Sequence, residues 1–224
     1  FFMSNLENKL KKIVNTFNNI DKNLAYEDIK KLSTKYHKNI NVLNVLSQIA
    51  QKMGDVDTTI NSLKKILLID KNNIECISKI YKLLLTKSLL DEALANINLI
   101  LRIDKDHYEA IRDKAYIYFL KNNFDKAKKY IDNISKLQEK DYFAYNIKGL
   151  IYFKNSNFHE AKNYFEQAIK INSKYVDSYN NLGICLLELE KLDEAYTVFR
   201  DAHEIQPDNS KTIVNLGNVL SLQD

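Results

Sequence analysis

Displaced by 34 residues, this chain lies on itself in register. Gly149, Gly183 and Gly217 share one column, and Ala93, Ala127, Ala161 and Ala195 share a second. Leu84, Tyr118, Tyr152, Leu186 and Leu220 form a third; Ile97, Ile131, Phe165 and Phe199 a fourth; Ile100, Ile134, Ala168 and Ala202 a fifth. A fixed period of this length confines a chain to stacked copies of one supersecondary unit, because no single copy can bury its own apolar face. One Pro and four Gly among 224 residues leave few breakers to punctuate short strands, so the unit is helical.

The clearest unit spans 176–209. Its first half places Tyr179, Leu182, Gly183 and Leu186 three and four residues apart, on one helical face. Its second half does the same with Ala195, Val198, Phe199 and Ala202. Glu190-Lys191-Leu192-Asp193 forms a tight turn between them, with Asp193 predicted to cap the second helix. Gln206-Pro207-Asp208-Asn209 stops that helix. Gly183 and Ala195 are predicted to mark the close approach of the two helices, with Tyr179, Leu186 and Phe199 filling the space around it.

These residues resemble the tetratricopeptide repeat family, best over 142–209, clearly over 74–141 and less well over 40–73, where Thr59 replaces the small Ala. The resemblance implies an all-α, right-handed superhelical solenoid of about six helical hairpins and an unpaired C-terminal helix. The division it implies is a divergent capping hairpin at 1–39, five units at 40–73, 74–107, 108–141, 142–175 and 176–209, and a last helix at 210–224. Lys105, Glu139 and Ser173 stand where the family usually has Pro, and only Pro207 keeps it. Tyr81 replaces the small residue of its column, which predicts a hairpin at 74–104 that is splayed or shifted locally. Lys114 and Lys148 replace an apolar residue; either their stems pack and their amines reach out, or they contact a ligand. The last helix keeps Gly217, whose use is to admit a partner helix, and reads as a shortened cap or, preferably, as part of a longer protein.

Chemistry-bearing motifs are absent. The glycines are too dispersed for a phosphate-binding loop, and His159-Glu160 lacks the second His of a zinc-protease helix because Asn163 stands there. Cys76 and Cys185 lie in different repeats without metal-ligand spacing. Pairs such as Asp91-Glu92 and Asp193-Glu194 recur at equivalent helix starts. The reading is therefore a non-enzyme, with no cofactor and no metal. Residues 1–39 hold eight Lys against four acidic residues, which accounts for the whole net charge of +4. Lys126, Lys128 and Lys129 beside Tyr130 read as a solvated face, so nucleic acid is not expected as a partner. No apolar run approaches membrane-spanning length, and a cytoplasmic location is expected.

Within the resembled family the first helix of each hairpin lines a concave, ligand-binding surface. Carried onto this chain, that surface comprises Arg112, Tyr116 and Phe119; Phe143, Asn146, Ile147, Leu150 and Phe153; Asn180, Asn181, Ile184 and Leu187; and Asn215 and Asn218. Tyr116, Phe119, Ile147, Leu150, Phe153, Ile184 and Leu187 form an apolar stripe that is either an exposed interaction surface or partly core. Asn146, Asn180, Asn181 and Asn215 beside it are suited to hydrogen-bond an extended backbone. Capture of a chaperone-tail carboxylate, a use known in the family, is disfavoured because Ile147 occupies a place where Asn is needed. The expected function is a protein- or peptide-binding scaffold. Two alternatives stand beside it: the substrate-selecting N-terminal part of a larger glycosyl- or sulfo-transferase, and a scaffold that self-assembles by end-to-end stacking.

Overall fold

The computed structural model describes residues 2–134 and 140–222; Phe1, and Glu139 from the missing-Pro column, lie outside them. Among the described residues there are thirteen α-helices and no strand. They are α1 (Phe2–Asn19), α2 (Lys22–Lys35), α3 (Ile40–Lys52), α4 (Val56–Ile69), α5 (Ile74–Thr86), α6 (Leu90–Ile103), α7 (Tyr108–Leu120), α8 (Phe124–Ile134), α9 (Tyr142–Lys154), α10 (Phe158–Ile171), α11 (Val176–Glu188), α12 (Leu192–Ile205) and α13 (Ser210–Ser221). The fold class is all-α, of solenoid type. None of these helices is long and apolar enough to cross a membrane.

The chain divides into two compact units, residues 1–110 and 111–224. In the first, α1/α2, α3/α4 and α5/α6 pair as hairpins, with α2 against α3 and α4 against α5. Leu10, Ile13, Phe17, Ala25, Tyr26 and Ile29 join Val42, Leu46, Ile49 and Ala50 in one core. In the second, α9/α10 and α11/α12 pair, α10 packs on α11, and α13 packs on both α11 and α12. Phe165, Leu182, Leu186, Phe199 and Val219 form its core.

The turns inside the hairpins repeat with the same period as the sequence. Gly54, Ser88, Asn122, Ser156 and Glu190 all adopt positive φ, between 56° and 77°. Each follows a first helix and closes it with a Schellman pair of bonds. At the second of these turns Leu89 N–H donates to Leu84 O and Ser88 N–H to Leu85 O, both at 2.9 Å. At the last, Lys191 N–H donates to Leu186 O and Glu190 N–H to Leu187 O, also at 2.9 Å. Four non-glycine residues thus carry a left-handed conformation that costs about 1–2 kcal/mol apiece. This turn also corrects the expected cap. The residue before α12 is Lys191, without a side-chain cap bond, and Asp193 lies in the first helical turn beside Glu194, where the helix dipole favours negative charge.

Side-chain caps do recur where one hairpin passes to the next. Asn39, Asn73, Asp141 and Asn209 each accept a backbone N–H from the first turn of α3, α5, α9 and α13, and His107 Nδ1 accepts from Ala110 N–H in α7. These residues are spaced by the repeat. Each satisfies a donor that the helix leaves open, worth about 1 kcal/mol.

Close approach within hairpins rests on a trade of volumes. A β-carbon at Gly149 would overlap the ring of Phe165, and one at Gly183 the ring of Phe199. Both rings are fully buried. The small residue therefore admits an aromatic ring of the second helix. Earlier repeats reverse the sizes: Tyr81 is fully buried, and the position of Phe165 and Phe199 is Ile97 there. α5 and α6 remain paired as a hairpin with Tyr81 inside it. Gly217 meets nothing within 4 Å. The contrast sets an expected outcome. Gly183→Ala lowers stability by about 2 kcal/mol through overpacking, whereas Gly217→Ala raises it by up to about 1 kcal/mol through helix propensity; urea titrations of the two variants followed by circular dichroism check the opposite signs.

Candidate peptide-binding groove

All fourteen residues of the expected groove lie in the second unit, on α7, α9, α11 and α13. Their surroundings divide them into three groups.

One group is buried. Ile147 is fully buried, and Asn146 and Asn180 are each 3% exposed. The two asparagines instead tie neighbouring first helices together. Asn146 Oδ1 accepts from Ser178 Oγ at 3.1 Å and from Asn181 Nδ2 at 2.9 Å, joining α9 to α11. One repeat later, Asn180 Nδ2 donates to Thr212 Oγ1 at 2.9 Å and Asn180 Oδ1 accepts from Asn215 Nδ2 at 3.0 Å, joining α11 to α13. Buried amides require such partners. The signal was in the sequence, because Ser178 and Thr212 form a hydroxyl column at the same spacing.

A second group closes turns and caps. Phe119 packs on Phe124 with ring centroids 5.7 Å apart, and Phe153 packs on Phe158 at 5.3 Å, in each case across the turn to the second helix. Leu150 and Leu187 are partly buried against the core. Of the apolar stripe, Ile147 is thus buried, Tyr116, Phe119, Leu150, Phe153 and Leu187 are partly exposed, and Ile184 is exposed. Arg112 stands one repeat before Asn146, where Ala144 and Ile147 cannot supply ladder partners. Its guanidinium bonds Asp113 at 2.9 Å and reaches Asp141, the cap of α9, at 3.5 Å. It also lies 5.1 Å from the centroid of Phe143, whose ring meets Tyr116 edge-on at 5.2 Å. Burial, with the negative charge of Asp177, holds the Tyr116 hydroxyl above its usual pKa, so it stays neutral.

The third group faces outward. Ile184 is 36% exposed, Asn181 and Asn215 are half-buried, and Asn218 is exposed. Asn180, Asn181, Ile184 and Asn215 line a cavity of about 340 Å3 between α11 and α13, and Asn218 is not among its lining residues. Asp177, Ser210, Lys211 and Val214 complete the lining and were not anticipated. Lys211 and Val214 stand one repeat after Asp177 and Asn180, so the column alignment could have found them. The ammonium of Lys211 lies 3.8 Å from Asp177 across the mouth. Asn181 and Asn215 each donate one N–H to the ladder, which leaves the Oδ1 and second N–H of each for other partners.

Other candidate residues take structural places. The amine of Lys148 lies 3.5 Å from Asp132 and that of Lys114 lies 4.7 Å above the Tyr130 ring, so both reach second helices and not the groove. Burial pushes the Cys185 thiol up to about 11, and its Sγ is 3.1 Å from the Phe158 carbonyl. It is not a thiolate at neutral pH. Because the ladder is buried, Asn180→Ala is expected to cost about 2 kcal/mol by stranding Thr212 and Asn215; the shift of the urea midpoint measures it.

Residues 147–210 match a family model described as tetratricopeptide repeat. Among solved structures, a tetratricopeptide repeat protein from Parabacteroides merdae ATCC 43184 aligns with a TM-score of 0.82 at 19% identity, over 97% of this chain and 86% of that one. MamA (residues 41 to the end) from Desulfovibrio magneticus RS-1 aligns with a TM-score of 0.64 at 16% identity, over 76% of this chain and 97% of that one. YrrB, described as a TPR protein with an unusual peptide-binding site, aligns with a TM-score of 0.56 at 16% identity, over 83% of this chain and 95% of that one. No curated protein matches the chain in sequence. Residues 147–210 thus match the tetratricopeptide repeat family, and the chain shares the helical-hairpin fold of these solved structures.

Proposed function

We propose that the chain is a protein-interaction scaffold that holds a partner peptide on the first-helix face of its second unit, centred on the cavity between α11 and α13. The observation that carries this reading is the pairing of exposed apolar side chains with pre-oriented amides. Ile184 and Val214 are 36% and 59% exposed, and both line the cavity beside Asn181 and Asn215. An extended backbone needs donors and acceptors at intervals, and an amide supplies both. The buried partners Asn146 and Asn180 fix the direction of those amides before any ligand arrives, which lowers the ordering cost of binding. Apolar anchors seated on Ile184 and Val214 would supply the burial. Peptide binding by YrrB, a protein of the same fold, is consistent with this use of the hairpins.

A displayed random-peptide library selected on the chain tests the reading. Selected peptides are expected to carry apolar anchors and to bind Ile184→Glu and Val214→Glu variants at least about tenfold more weakly, as for anchors at an interface centre. Peptides that bind both variants as tightly as the parent chain would move the site elsewhere.

A further inference from the structure

The first unit holds a concavity of a different character. α1 and α2 enclose a cavity of about 340 Å3. Its floor is Ile13 and Leu32, which belong to the apolar core of the first hairpins. Lys9 and Lys12 stand on its α1 rim, Lys31 and Lys35 on its α2 rim, and Asp28 is the one acidic residue in the lining. All four lysines are exposed, and none forms an ion pair among the described residues. Lys30, next to them in the chain, does pair with Glu27 at 3.5 Å. Like charges three and four residues apart on a helix repel. Here two such pairs border one concave space over an apolar floor, an arrangement that focuses positive potential and concentrates anions.

The recess decides the kind of anion. Ile13 is 9% exposed, so a broad surface such as a bilayer would meet the lysine rim without reaching the floor, whereas a single inserted side chain would reach it. We propose that the groove between α1 and α2 docks an acidic segment of a partner protein, one apolar side chain resting on Ile13 and Leu32 and its flanking carboxylates meeting the four lysines. This surface is independent of the groove in the second unit.

Fluorescence anisotropy with a labelled peptide carrying a central Leu-Phe pair between runs of Glu tests it on the whole chain. Saturable binding is expected, weakened about tenfold in the Lys12→Glu/Lys31→Glu double variant and weakened again on raising ionic strength from about 0.05 to about 0.5 M. Replacing the central pair by Ser-Ser should also weaken it, and Ile184→Glu in the chain should leave it unchanged. Circular dichroism confirms that the double variant is folded. No saturation, equal affinity in the folded double variant, equal affinity for the Ser-Ser peptide, or binding to phosphatidylserine vesicles that the peptide does not displace would each overturn the proposal.

Discussion

The hairpins α9/α10 and α11/α12 depend on one contact: a ring from the second helix seated where the first helix has no side chain. Gly149 receives Phe165, and Gly183 receives Phe199. Two helices cannot approach this closely unless one gives up volume for what the other supplies. In the repeat at 74–104 the column positions are exchanged in size, with Tyr81 in the glycine column and Ile97 in the ring column, both fully buried. The same contact explains the open face of α13, where Gly217 has nothing against it and Ile213 and Leu220 are 49% and 48% exposed.

Stacking of hairpins uses different chemistry. Within the second unit the first helices are joined by hydrogen-bonded amides and hydroxyls, Asn146 with Ser178 and Asn181, then Asn180 with Thr212 and Asn215. Apolar packing tolerates small slips, but a buried amide does not, because a slip would strand polar atoms. The ladder thus sets the register between successive repeats. Its outer members are also the residues that border the cavity, so the framework that joins the helices also lines the cavity.

Much of this was legible in the sequence. The columns pointed to the helices and their pairing, since a period of 34 residues admits few alternatives. The turns were less legible. Only Gly54 announces a left-handed residue, while Ser88, Asn122, Ser156 and Glu190 adopt the same φ because the surrounding helices impose it. The groove was only partly legible. Helical periodicity separates faces by about 100° per residue, and this resolution cannot distinguish Phe119 and Phe153, folded onto Phe124 and Phe158, from side chains that face outward. Composition alone likewise could not show that Asn146 and Asn180 serve other asparagines, because an amide bound to protein and one free to bind a ligand read the same.

The central claim is that partners engage the first-helix face of the second unit. Amide hydrogen exchange of the whole chain, with and without a peptide selected on it, tests this most directly. The account predicts added protection over 177–187 in α11 and 210–218 in α13, with α10 and α12 unchanged. Protection confined to α10 and α12 would contradict it.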